Sequence, residues 1–107
     1  MQNDKEKQLK SVVSAIKDSD ITEDSLNEFK QSTGITITVF NGNIREISTV
    51  KGAIGTKADD TIYNLVMNNG SYFSSNANVN GEPYFAYYEK TDNGMISAGI
   101  TKSEMIS

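Results

Sequence analysis

The chain has 107 residues, 36% of them hydrophobic and 22% charged, with a formal net charge of −4. That length fits one modest core, and five tyrosines and four phenylalanines set in regular apolar patterns argue against disorder. The absence of cysteine and histidine excludes disulfides, zinc–thiolate sites, cysteine nucleophiles and histidine general bases. Ten scattered basic residues, of which only Arg45 is an arginine, make a poor surface for a phosphate backbone, so no nucleic-acid partner is expected.

Residues 4–18 carry Leu9, Val12, Val13 and Ile16 at helical spacing and predict an amphipathic helix, broken by Ser19-Asp20. A shorter helix follows, with Thr22 as N-cap or Ser25 as the alternative, Leu26 and Phe29 on its inner face, and Gly34 to end it. From Ile35 the period changes to two: Ile35, Ile37 and Val39 alternate with Thr36, Thr38 and Phe40, which reads as a strand. Asn41-Gly42-Asn43 is a hairpin turn, and Ile44–Val50 returns. Lys51–Ala58 reads as a loop. A third helix over about 59–69 has Thr56 and Asp59 as a capping-box-like pair and Ile62, Leu65, Val66 and Met67 as its buried side, and Gly70 stops it. Three strands, Ser71–Val79, Glu82–Thr91 and Met95–Thr101, are joined by Asn80-Gly81 and Asp92-Asn93-Gly94 turns. The expected architecture is α+β and PAS-like. The two N-terminal helices lie in residues 1–33, and a five-stranded antiparallel sheet with its crossing helix lies in 35–101, all in one domain.

No apolar run approaches the roughly 20 residues that span a bilayer. The longest is Tyr84–Tyr88, and Met1 leads straight into Gln-Asn-Asp-Lys without a leader pattern. Any membrane attachment is therefore expected only through flanking segments.

Catalytic chemistry finds little to use. The carboxylates sit in helical first turns (Glu23, Asp24, Asp59, Asp60) or in a turn (Asp92), where capping and solvation explain them. Glu82 and Glu89 are seven residues apart on one strand and so face opposite ways. No serine sits in a G-x-S-x-G elbow, and a Ser–Lys pair through Lys57 or Lys90 lacks a strained turn to present it. Gly52-Ala53-Ile54-Gly55-Thr56-Lys57 leads into a helix N-terminus but departs from the P-loop spacing. Only a hard cation could bind without His or Cys, and no EF-hand-type loop is present. No enzyme, metal or cofactor is expected.

The aromatic strand is the most informative segment. Tyr84, Ala86 and Tyr88 point one way; Phe85, Tyr87 and Glu89 point the other. Both faces are largely aromatic, so both should be covered. Two tyrosines flanking a small Ala86, with Ser97 and Gly99 on the next strand, would leave a small hydroxyl-lined cavity. An ordinary core with peripheral tyrosine hydroxyls fits the same residues.

Gly55-Thr56-Lys57-Ala58, a short helix, Gly70-Ser71-Tyr72-Phe73, Asn80-Gly81-Glu82-Pro83-Tyr84-Phe85-Ala86-Tyr87-Tyr88-Glu89 and Asp92-Asn93-Gly94-Met95-Ile96, in that order, resemble the single Cache sensor family. The resemblance runs from about Ile35 to Thr101 and departs where the family often has proline and this chain has Lys90. It implies an extracellular or periplasmic sensing domain of a bacterial methyl-accepting chemotaxis protein, or of a sensor histidine kinase, that binds a small carboxylate or similar polar metabolite. It further implies a ligand site with Thr38 facing the pocket, Arg45 and Ser48 near its rim, Tyr84, Ala86, Tyr88 and Ser97 along its floor, and Tyr72 beside it. Arg45 is the natural carboxylate partner through its bidentate fork. With Ala86 and Tyr88 where more basic members carry Arg or Lys, a tricarboxylate is disfavoured. The N-terminal helix would continue from a transmembrane segment and pair with a copy of itself in a homodimer, although its apolar stripe could equally pack on its own sheet. A profilin- or roadblock-like interaction module without a ligand, its aromatic sheet face open to a partner, is the competing reading.

Overall fold

A computed structural model describes residues 2–103, with the side chains from Asp4 onward. Helix α1 spans Gln2–Ile16 and α2 spans Glu23–Thr33. Strands β1 (Thr36–Asn41) and β2 (Ile44–Ser48) precede helix α3 (Asp60–Asn69), and β3 (Ser71–Val79), β4 (Glu82–Lys90) and β5 (Gly94–Thr101) follow it. The strands form one antiparallel sheet in the order β2-β1-β5-β4-β3, a PAS-like α+β arrangement in which the first and last strands meet at the centre. No helix among the described residues is long and apolar enough to cross a membrane.

The helices stop and start for local reasons. Helix α1 ends at Ile16, two residues before the pattern suggested, because the Ser19 N–H and hydroxyl both donate to the Ile16 carbonyl. Thr22 caps α2 and accepts from the Ser25 N–H, while the Ser25 hydroxyl accepts from the Thr22 N–H, so the two alternative caps are one reciprocal pair. Gly34 and Gly70 end α2 and α3 in the left-handed conformation that glycine adopts without a Cβ clash. Asp59 alone caps α3, accepting from the Ile62 N–H. Thr56 takes no part in that cap; its hydroxyl is engaged with Ala53 and Arg45 instead.

Each sheet face has its own core. On one, α1 and α2 bring Leu9, Val13 and Leu26 against Ile35, Ile37, Tyr87, Ile96, Ala98 and Ile100. Burial of one such leucine contributes roughly 1.5–3 kcal/mol. The apolar stripe of α1 thus packs on its own sheet, with Leu9 and Val13 buried and Val12 and Ile16 partly so. On the other face, α3 covers Phe40, Ala77, Tyr84, Ala86, Tyr88 and Met95 with Val66, flanked by Ile62, Tyr63 and Met67. Tyr63, not Leu65, takes the remaining inward position; Leu65 is half-buried outside this core. Among the described residues both aromatic faces carry helices, so neither is the open face that an interaction module would present.

Two bulges decide which side chains face α3. Opposite β1, Val39 pairs with Ile47 but Phe40 with Arg45, so Glu46 is an extra residue on β2. Ser48 faces the same side as its partner Thr38. Strict alternation back from Ser48 would bring Glu46 to that side and turn Arg45 away, and the bulge reverses this. On β3, Ser74 pairs with Ala86 and Ala77 with Tyr84, which brings Ala77 and Val79 onto the α3 side.

The segment from Thr49 to Asp59 is well anchored rather than a loose connection. Lys57 forms an isolated bridge with Ile44, Gly55 N–H donates to Arg45 O, and Arg45 N–H donates to Thr56 O. Lys30 Nζ donates to the Thr49 carbonyl and the Asn80 side chain to the Lys51 carbonyl.

Candidate functional site: a cavity beneath the roof loop

A cavity lies on the α3 side of the sheet, built from alternate residues of the strands. β1 supplies Thr36, Thr38 and Phe40, and β4 supplies Tyr84, Ala86 and Tyr88. β5 adds Ser97 and Gly99, β2 adds Arg45, β3 adds Val79, and the loop provides Val50 as its roof. The cavity measures about 20 Å³. One ordered water needs roughly 10–15 Å³ on this measure, whereas a ligand pocket has about 300–1,000 Å³. The site is narrow, and it admits a molecule larger than about one water only by moving a wall. Beyond Thr36 and Tyr84 lies an open cleft of about 520 Å³ near Lys30, Glu82 and Thr101, so these two residues partition the cavity from the outside.

Arg45 is the unusual member. Only 8% of it is exposed, and no carboxylate among the described residues lies within ion-pair distance. Taking a guanidinium out of water without a counterion costs on the order of several kcal/mol. Part of that is offset where it lies 5.3 Å from the Phe40 ring centroid and donates from Nη1 to Thr56 Oγ1 at 3.0 Å and to Lys57 O at 2.7 Å. Burial lowers its pKa from the ordinary value, and the nearby Tyr88 opposes that shift.

The hydroxyls around it are idle. Tyr84, Tyr88 and Ser97 are all buried, yet none of their hydroxyls has a hydrogen-bond partner among the described residues, and none is sealed from water-sized space. A hydroxyl that no protein group engages and that water can reach is free to bond a water or a ligand. Burial pushes the Tyr88 phenol up to about 12, Arg45 pulling it down and Asp59 and Tyr72 adding to the rise, so the group is a neutral donor at physiological pH. The Tyr84 phenol is also raised, first by burial and then by Glu82. Gly99 makes room for Tyr84: a Cβ there would meet Tyr84 Cδ2 and Phe85 O at 3.3 Å. The volume that Gly99 leaves is therefore partly taken up by a tyrosine ring.

Of the residues expected from sequence, Thr38, Arg45, Tyr84, Tyr88 and Ser97, together with Ala86, line this cavity. Ser48 and Tyr72 do not. The Ser48 hydroxyl is hydrogen-bonded to Thr38 Oγ1 at 2.8 Å beside the cavity, and Tyr72 packs across from Tyr88 in the core under α3. Thr36, Phe40, Val50, Val79 and Gly99 complete the lining. Thr36 and Phe40 follow from Thr38 by alternation, whereas Val50 and Val79 depend on the loop path and the β3 bulge.

The family model of single cache domain 3 matches residues 17–107. The chain belongs to that family. Searches of curated proteins and of solved structures return no match. Cache domains are sensory, binding small molecules and typically standing on the extracellular side of a membrane. In this Cache domain the cavity on the α3 side holds a cation without an ion-pair partner and hydroxyls without a hydrogen-bond partner among the described residues. No group of three or more acidic side chains that could hold a metal ion occurs among the described residues.

Proposed function

We propose that residues 1–107 form one extracytoplasmic sensor domain of a bacterial chemoreceptor and that its ligand is a small carboxylate held at Arg45. The observation that carries this reading is a buried guanidinium without a counter-ion among the described residues, in a cavity bordered by the hydroxyls of Tyr84, Tyr88 and Ser97, which have no partner there either. A carboxylate would supply the missing charge and accept from the guanidinium fork, and the phenols and Ser97 would complete its hydrogen bonds. Thr38 belongs to the same wall, while Ser48 supports Thr38 and Tyr72 supports Tyr88 from outside it. The cavity holds about one water in its closed form, so the ligand displaces that volume and the roof loop or Tyr84 yields to admit it.

In the full-length protein the helical end would carry the signal to a membrane segment. A homodimer would use the outward face of α1 around Lys7, Lys10, Ser11 and Ser14, because the apolar stripe is already buried. The same domain would serve a sensor histidine kinase equally well; the output module in the flanking sequence distinguishes the two.

A thermal-shift screen of small carboxylates, amino acids and amines tests the reading. At least one carboxylate should raise the melting temperature, by the equivalent of about 2.7 kcal/mol at a hundredfold excess over Kd. Arg45→Gln should lose the response, and the double variant Tyr84→Phe/Tyr88→Phe should weaken it while keeping the fold. If no compound stabilises the protein, or the double variant responds like the parent, the site is not a ligand pocket.

A further inference from the structure

Thr56 does not line the cavity, yet it holds the residue that gives the wall its charge. Arg45 is tied to the segment 55–57 by four hydrogen bonds. Two are main-chain: Gly55 N–H to Arg45 O at 2.7 Å and Arg45 N–H to Thr56 O at 2.9 Å. Two come from the side chain, and both leave the same nitrogen, Nη1, for Thr56 Oγ1 and Lys57 O. The Thr56 hydroxyl donates its own proton to Ala53 O at 2.5 Å. A hydroxyl has one proton to give, so its oxygen can meet Arg45 only as an acceptor. Its orientation is set by the loop turn and not by the arginine.

Nη1 carries two protons, and both are taken. The remaining three N–H groups of the fork, one on Nε and two on Nη2, have no protein acceptor among the described residues, and none of their nitrogens is sealed from water-sized space. A bidentate carboxylate needs two parallel N–H groups with the plane of the fork fixed. Holding one nitrogen through two acceptors fixes that plane. It also stops the guanidinium from rotating about Nε–Cζ and presents the free donors in one orientation.

We propose that Thr56 is the positioning residue for the anion anchor: by accepting from Nη1 it pre-orients Arg45, so that the site prefers a carboxylate over its uncharged isostere. This rests on the sensing-site reading above. It also makes the roof loop and the anchor one unit, since Thr56 and Lys57 belong to the segment that brings Val50 over the cavity.

The test has two arms on the purified domain with Thr56→Val, Thr56→Ala and Thr56→Ser. The first needs no ligand. Arg45 is the single arginine of the chain, so its side-chain nitrogen signals are unambiguous in NMR spectra. Separate Nη1 and Nη2 signals are expected in the parent and in Thr56→Ser, merging through faster rotation in Thr56→Val and Thr56→Ala. The second arm compares acetate with acetamide by chemical-shift titration. The parent and Thr56→Ser should prefer acetate. Thr56→Val should lose roughly tenfold or more in acetate affinity, the scale of one hydrogen bond to a charged group, with little change for acetamide. A loop that is merely disturbed would weaken both probes together, and that result overturns the proposal. So do unmerged Nη signals in both Val and Ala variants, or a retained acetate preference. A parent protein that holds its Nη signals apart but does not bind acetate overturns the carboxylate reading of the site, and the proposal with it.

Discussion

The two faces of the sheet use the same strands to opposite ends. Toward α1 and α2, the polar groups meet each other: Glu89 accepts from Lys17 Nζ at 2.5 Å and from the Tyr87 hydroxyl at 2.8 Å, tying the end of α1 to β4. Toward α3, the residue before Glu89, Tyr88, is as deeply buried as Tyr87, but among the described residues its hydroxyl has no hydrogen bond and the arginine beside it has no carboxylate partner. Three consecutive residues therefore differ in their engagement: 87 and 89 hold the helix, and the hydroxyl of 88 meets no group among the described residues. One face joins its polar groups to each other, while the other leaves hydroxyls and guanidinium donors that only water or a ligand can meet.

The comparison breaks most visibly by truncating the sealed core. Leu9 is fully buried against the sheet, and Leu9→Ala should lower unfolding free energy by about 2–5 kcal/mol, read from urea or thermal denaturation. A smaller loss would mean that α1 is loosely docked. The pair Tyr87→Phe and Tyr88→Phe is the sharpest comparison, since it removes the same atom on opposite faces. The first should cost about 1 kcal/mol or more because it deprives Glu89 of a donor. The second should stay within about 0.5 kcal/mol, because that hydroxyl has no partner to lose. Equal costs would show that the phenol at 88 is satisfied in solution and that the site is plain core.

The smallest effect is pH dependence at the sealed face. Burial alone would raise the Glu89 carboxyl, but the hydrogen bonds from Lys17 and Tyr87 outweigh it and hold it below its usual 4.5. A depressed carboxylate adds stability above its unfolded pKa and loses it as pH falls through the folded one. The melting temperature should therefore decline below about pH 4.5, with a shallower slope in Glu89→Gln. Lys17, raised by the same partner, is the mirror case: its contribution is full below 10.5 and lost above. An unchanged acid slope in Glu89→Gln would remove this contact from the account of how α1 is held.

Much of this was legible in the chain itself. Periods of 3.6 and two, Gly34 and Gly70 after their helices, and Asn-Gly turns name each element in order, because backbone sterics and amphipathic burial act over a few residues. The alternation along β4 assigned Tyr84, Ala86 and Tyr88 to one side and Phe85 and Tyr87 to the other, and the structure keeps that division. The hidden part lies wherever period two fails. A bulge in β2 turns Arg45 toward the cavity where strict alternation from Ser48 would have offered Glu46, and a bulge in β3 does the same for Ala77 and Val79. Thr56 looked like a helix cap and is instead the acceptor for Arg45, eleven residues away in sequence. The sequence by itself determined the elements, their order and the aromatic face. Only the tertiary structure decided which cation stands over that face and what holds it, because a bulge and a returning loop are settled by pairing between distant segments and leave no local period to read.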